Sequence, residues 1–349
     1  MPSEMKTSDL LRDMVEIYSP SGEEKSLVDF LAPKMEDLGY RVRRDEVGNL
    51  IGRIGQGETQ VLLLGHLDTV EGEIPVRVED GRLYGRGSVD AKGPLANFIG
   101  SARRFRDSTE LEILVIGVVE EETSSKGAYA ILEQASPDYV VVGEPSRWNG
   151  ITLGYRGSTR VTYTLKKPKT HRGEGSSIPA EEAVEFYEEV QELFEDETSG
   201  FYGTDVRLTN FQTRDEPFSD SVRMELDVRT GPGFDYDSLS DFVEKEREGA
   251  RIERTRGIPP VKTSKRNKLV SSFLSGIRSA GGEPKFKLKT GTADMNILAE
   301  HWDVPMIAYG PGDSSLDHTP RERLELEELS LAKEVLTEAL KVLEGATGK

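Results

Sequence analysis

The sequence predicts an α/β protein whose mainly parallel sheet carries helices on both faces, interrupted by an inserted ferredoxin-like α+β unit. Three observations predict it. The apolar runs Val61–Leu64, Leu111–Val119, Tyr139–Val142 and Val304–Tyr309 lack the alternation of half-exposed strands and suit strands buried on both faces. Helical stretches separate these runs, and strand–helix alternation builds a parallel sheet. From 157 to 264 the texture changes to alternating strands and acidic helices in the order β-α-β-β-α-β, the ferredoxin-like arrangement.

The elements follow in order. Thr7–Tyr18 is helical by period, with Leu10, Leu11, Met14, Val15 and Tyr18 on one side. Ser21 and Glu24 have capping-box spacing for a second helix, which Pro33 should kink and Leu38-Gly39 should end. Tyr40–Asp45 and Asn49–Ile54 read as strands, and Val76–Asp80 with Arg82–Tyr84 as a hairpin around Asp80-Gly81. Helices are expected at Lys92–Phe105 and Lys126–Gln134. In the inserted unit, Ser158–Lys166, Val206–Thr209, Val222–Arg229 and Arg251–Arg256 read as strands, and Ala180–Phe194 and Leu239–Glu248 as helices. The α/β texture returns near Asn267 and ends in a helix over Leu324–Leu343. The first domain is thus expected to be discontinuous, 1–156 with 265–349, around an insert at 157–264.

Composition excludes several function classes. With 349 residues, 31% charged and 36% hydrophobic, the chain can form two domains with substantial cores. No window approaches the ~18 uninterrupted apolar residues of a spanning helix, and the N-terminus lacks a secretory pattern. No membrane association is expected. Zero cysteines removes disulfides and thiolate ligands and fits a cytoplasmic location. A net charge of −18 argues against nucleic-acid binding, which depends on neutralising phosphates. The charge is uneven. Arg156–Arg172 holds six Lys/Arg and no acid, and Arg251–Lys268 holds seven against Glu253.

Chemistry in open α/β sheets sits beyond the carboxyl ends of the strands, and each apolar run delivers an acid or a histidine there. Val61–Leu64 leads to His66 and Asp68, and Leu111–Val119 to Glu120-Glu121-Glu122. Tyr139–Val142 leads to Glu144, and Val304–Tyr309 to Asp317-His318. Asp90 lies in a glycine-punctuated segment 24 residues after His66. Two imidazoles with these carboxylates suit a pair of divalent cations such as zinc, cobalt or manganese, with Asp90 able to bridge them. Consecutive glutamates leaving a strand point opposite ways. One can therefore ligate while the other accepts a proton as general base.

The segments GHLDTV, GRGSVDAKGP, VVEEE, VVGEPS and the late DHTPRE resemble the co-catalytic metallopeptidases of the M20 type across nearly the whole chain. The resemblance implies a zinc-peptidase-like catalytic domain and two metal ions per subunit, zinc or cobalt. His66, Asp90 and Glu144 would hold one ion, and Asp90, Glu121 and His318 the other. Glu120 would be the general base and Asp68 would orient His66. The inserted domain would serve as lid and homodimer interface. Within it, His171 takes the place of a lid histidine that stabilises the tetrahedral oxyanion. Arg229 resembles an arginine that binds the substrate carboxylate, and Thr292 would line the substrate pocket.

GRGSVDAKGPLANF, EPSRWNGITLGYRGS and TGTADMNILAEHWDVP are most similar to the branch of that family that releases lysine or ornithine from the C-terminal glutamate of an acidic amino-group carrier protein. On that resemblance the basic residues Arg160, Lys166, Lys167, Lys169 and Arg172 would steer the carrier to the cleft. The alternatives are a small-molecule deacylase of the same family, acting on acetylornithine or succinyl-diaminopimelate, and a metal-retaining binding protein without catalysis.

Overall fold

The computed structural model describes residues 5–170, 177–194 and 200–347. It divides into two compact units. The first comprises the chain up to Gly154 together with Thr263–Leu288 and the chain from Ala293 on; the second comprises Tyr155–Lys262 and Lys289–Thr292.

The chain opens with α1 (Thr7–Glu16), α2 (Lys25–Asp37), β1 (Arg41–Arg44), β2 (Leu50–Gly55) and β3 (Thr59–His66). A hairpin of β4 (Arg77–Glu79) and β5 (Arg82–Tyr84) precedes α3 (Lys92–Ala102), β6 (Leu111–Val118), α4 (Lys126–Ile131), β7 (Tyr139–Val142) and β8 (Gly150–Tyr155). The second unit holds β9 (Gly157–Pro168), α5 (Pro179–Glu192), β10 (Asp205–Asp215), β11 (Ser219–Thr230), α6 (Tyr236–Val243), β12 (Ala250–Arg254) and β13 (Val261–Lys262). The chain closes with α7 (Lys268–Ser279), β14 (Lys285–Lys289), α8 (Asp294–His301), β15 (Met306–Ala308), β16 (Arg323–Glu325) and α9 (Leu326–Thr347).

In the first unit the sheet runs β1-β2-β6-β3-β7-β15-β8. Its centre is parallel: β3 pairs in parallel with β6 and β7, and β7 with β15. The flanks are antiparallel, through β1–β2, β2–β6 and β15–β8. From Val61 to His66 every residue of β3 is buried, as are Ile113–Val118 of β6, which explains their unbroken apolar runs. Here α3 packs on β3 and β6, with α1 and α9 against α3. Full burial of a leucine contributes about 1.5–3 kcal/mol, and Leu63 adds that to the core it shares with Leu10, Phe98 and Leu336 of those helices.

The second unit's sheet has the order β10-β11-β9-β12, and its described pairings are antiparallel. That order is the ferredoxin-like one. Val161, Tyr163 and Leu165 point inward from β9 against Phe186 of α5 and Leu239 of α6. The rings of Tyr163 and Phe186 lie 4.9 Å apart.

Three local expectations are revised. Ser21 and Glu24 form no capping box, because both side chains are engaged elsewhere. The chain expected to start a helix at Leu324 first adds strand β16 to the β5–β4 hairpin, and β10 runs on to Asp215.

Candidate functional site

The first unit's site is built where its parallel strands end. His66 is the last residue of β3, and Asp90 precedes α3, joined to Ala91 by a cis peptide. His66 Nε2 lies 3.3 Å from Asp90 Oδ1, and His318 Nε2 lies 3.0 Å from Asp90 Oδ2. Each oxygen of one carboxylate therefore faces a different imidazole. Glu122 Oε1 lies 3.0 Å from His318 Nε2. Donor atoms of His66, Asp90 and Glu122 all fall within 4.8 Å of one another. Such convergent nitrogen and oxygen donors, with a carboxylate placed to bridge, fit a pair of divalent cations.

The electrostatics follow from burial and these contacts. Burial opposes a charge on Asp90, but hydrogen bonds from His318 and His66 outweigh it and hold its carboxyl well below the usual range. Hydrogen bonds to Asp90 and Glu122 raise the His318 imidazole to about 10. Glu121 is pushed well up, first by burial and then by the nearby charge of Asp294. Burial raises the Asp294 carboxyl to about 7. Concentrated negative charge of this kind favours a cation.

The structure arranges the three glutamates differently from the expected alternation. Glu120 was expected as the base and Glu121 as a ligand, on the assumption that strand alternation continues past β6. It does not. Glu120 adopts a left-handed backbone, φ 55°, and its carboxylate pairs with Lys126 and the Ser124 hydroxyl. Lys126 and Ser124 hold the Glu120 carboxyl below its ordinary range. Glu122 takes the position beside His318, and Glu121 lies among Asp294, His66, Glu144 and Glu122. Gly127 lets α4 start directly beneath this turn: a Cβ there would meet Val119 N and O at 2.6 Å.

Other expected residues fall as follows. Asp68 is fully buried; its carbonyl oxygen lies 2.9 Å and its carboxylate 3.4 Å from His66 Nδ1. Glu144 is half-buried just beyond β7 and close enough to Glu121 to raise it. In the second unit Arg229 donates to Asp227 Oδ2 at 2.8 Å and to Thr292 Oγ1 at 3.0 Å, so those two predicted residues meet. His171 lies outside the described residues. Lys166, Lys167 and Lys169 are paired with Glu216, Glu182 and Asp215, which cancels much of the field expected from them.

Sequence reasoning missed a supporting layer. Glu322 is 1% exposed. Its Oε1 accepts the N–H groups of Val89 and Asp90 at 2.9 and 3.2 Å, and its Oε2 accepts Arg86 Nη1 at 2.9 Å. It thus ties the Asp90 loop to the His318 loop. Its spacing of four residues from His318 was the available signal. Lys92, fully buried, donates to the carbonyls of Met14 and Ile17 and closes the end of α1.

Residues 62–342 match the model of peptidase family M20/M25/M40. The chain belongs to that family. A LysW-lysine hydrolase of Deinococcus radiodurans is 39% identical over 357 residues, covering 99% of each chain. A LysW-lysine/LysW-ornithine hydrolase of Sulfurisphaera tokodaii is 28% identical, over 98% of this chain and 96% of its own. The M20 metallo-carboxypeptidase Sso-CP2 from Sulfolobus solfataricus superposes with a TM-score of 0.80 at 16% identity, over 98% of this chain and all of that one. The chain is therefore an M20 hydrolase with the M20 peptidase fold, and among its described residues no helix is long and apolar enough to cross a membrane.

Proposed function

We propose that this M20 hydrolase releases lysine, ornithine or both from the C-terminal glutamate of the carrier protein LysW by cleaving an amide bond, as a step of lysine and arginine biosynthesis. The full-length similarity to hydrolases named for LysW-linked substrates carries the reading. The small-molecule deacylase alternative belongs to the same family and is separated by the assay below.

His66, Asp90 and Glu144 would hold one divalent cation, and Asp90, Glu122 and His318 the other, zinc or cobalt on the chemistry of the donors. Bound cations supply Lewis acidity at the scissile carbonyl and lower the pKa of water there. Glu121 takes the proton of the attacking water and returns it to the leaving amine, a task favoured by an elevated carboxyl pKa. Asp68 fixes the His66 ring through Nδ1. Arg229 and Thr292 are offered as a carboxylate-binding pair, and His171 as a stabiliser of the tetrahedral oxyanion. The uncovered apolar residues Leu208, Phe211 and Phe218 support a homodimer formed through the inserted unit, to be read by sedimentation. The absence of cysteine supports a cytoplasmic setting.

The test compares Glu121→Gln with Glu120→Gln, both loaded with zinc and assayed on carrier-linked lysine and on acetylornithine. Glu121→Gln should lose about 10²–10⁴-fold in kcat with both cations retained, and Glu120→Gln should stay near wild type. The reverse pattern would return the base to Glu120. Faster turnover of acetylornithine would give the substrate to the small-molecule branch.

A further inference from the structure

Three successive glutamates carry identical side chains, so side-chain chemistry alone cannot decide which of them enters the site. The backbone decides. The peptide N–H of Glu120 donates to Glu24 Oε1 at 3.0 Å, that of Glu121 to Asp68 Oδ1 at 3.0 Å, and that of Glu122 to Asp68 Oδ2 at 3.1 Å. Two buried carboxylates thus take three consecutive donors of one turn; Glu24 is 5% and Asp68 0% exposed.

Both carboxylates are themselves anchored. Asp68 accepts the Ser21 hydroxyl at 2.6 Å, and Glu24 Oε1 also accepts the Gly22 N–H at 2.9 Å. The Ser21–Glu24 segment therefore meets the turn directly through Glu24 and indirectly through Asp68. Glu24 immediately precedes α2 but makes no cap bond to it. Its acceptor is spent on residues 22 and 120 instead. Hydrogen bonds between a peptide N–H and an ionised carboxylate are among the stronger ones in proteins, and the part-buried Glu120 donor loses that bond when its acceptor is removed.

We propose that Glu24 is a positioning residue that sets the register of the triple-glutamate turn, holding Glu120 outward so that Glu121 and Glu122 face the reaction. The proposal rests on the roles given to Glu121 and Glu122 above. Asp68 grips the second and third N–H groups, but only Glu24 grips the first, where the backbone turns left-handed. Without it, Glu120 can exchange its contact with Lys126 for a place among the ligands and displace its neighbours.

The experiment uses the full chain carrying Glu24→Leu or Glu24→Gln, freed of metal and titrated with zinc, with kcat and KM measured on the same samples and folding followed by thermal melting. Leucine matches glutamate in size and lacks an acceptor. It should lower kcat and the affinity for one of the two zinc ions by about 10–100-fold while KM changes little. Glutamine retains an acceptor oxygen and should restore both. In the Glu24→Leu background, adding Glu120→Gln should recover part of the lost zinc affinity by removing the competing carboxylate. If leucine prevents folding, Glu24→Ala carries the same expectations.

Wild-type zinc affinity and kcat in the Leu variant would overturn the proposal, as would a Gln variant as impaired as Leu. Glu121→Gln run in parallel separates the two levels. If that variant is active, the catalytic reading fails; if it is inactive while Glu24→Leu is unaffected, only the register proposal fails.

Discussion

The two units treat charge in opposite ways. The first buries it: His66, Asp68, Lys92, Asp294 and Glu322 are each at most 2% exposed. The second keeps an apolar core of Val161, Tyr163, Phe186, Met224 and their neighbours, and among its described residues Arg156 is the buried charge. Buried charge costs folding free energy unless it is paired or binds a cation. Its accumulation at the ends of parallel strands marks where the first unit gives up stability for chemistry. Among its described residues the inserted unit has no such concentration.

The largest expected effect bears on that contrast. Removing divalent cations with a chelator should abolish turnover, and zinc or cobalt should restore it, while the hydrogen-exchange protection of β9 and β11 stays unchanged. Full activity after exhaustive chelation would remove the reason for clustering these carboxylates. Asp90→Ala should behave like the chelated protein and resist rescue, since Asp90 faces both imidazoles.

Stability changes in the second unit come next. Phe186→Ala removes a ring at the centre of its core, packed on Tyr163 and Phe242, and should cost about 3–5 kcal/mol. If the units fold independently, exchange protection falls in β9–β12 while zinc titration is unaltered. A single cooperative transition carrying both losses would break the comparison. Asp205→Ala should cost less. Arg156 is 1% exposed and donates to Asp205, but it keeps its bond to the Arg229 carbonyl and Asp205 is half-exposed, so about 1–3 kcal/mol is expected in a melting experiment.

How legible each unit was follows the same line. The alternation of Val161, Tyr163 and Leu165 gave β9 and its inward face directly, since one apolar face against one wet face leaves a period in the sequence. The buried runs of the first unit gave the strands and, beyond their ends, His66, Glu144 and His318, while Asp90 stood out by its glycine-punctuated segment. The departure from the expected arrangement fell on Glu120, Glu121 and Glu122, where identical neighbours carry no pattern and the Glu120 N–H is held by Glu24, 96 residues away. Ser21 and Glu24 failed for a related reason. Their spacing is that of a local cap, and only tertiary structure shows that their acceptors and donors are used at distant residues. Glu322 and Lys92 support other loops through backbone groups, which leave no trace in side-chain periodicity.

The smallest expected effect concerns the basic stretch of β9. Six cations without an acid from Arg156 to Arg172 suggest a positive surface, but the strand's neighbours supply the missing acids: Lys167 reaches Glu182 on α5, and Lys169 reaches Asp215 at the end of β10. Lys167→Gln should therefore change stability by less than about 1 kcal/mol, because a partly exposed pair gains little over hydration. Its effect on the salt dependence of turnover with the proposed carrier substrate should be equally small, since Lys167 and Glu182 together present almost no net charge to a distant partner. Arg160, exposed on the same strand, is the sharper probe. Arg160→Glu should lower kcat/KM for an acidic carrier most at low ionic strength, and equal effects of Lys167→Gln and Arg160→Glu would mean that the pairing along β9 does not shape the field a carrier meets.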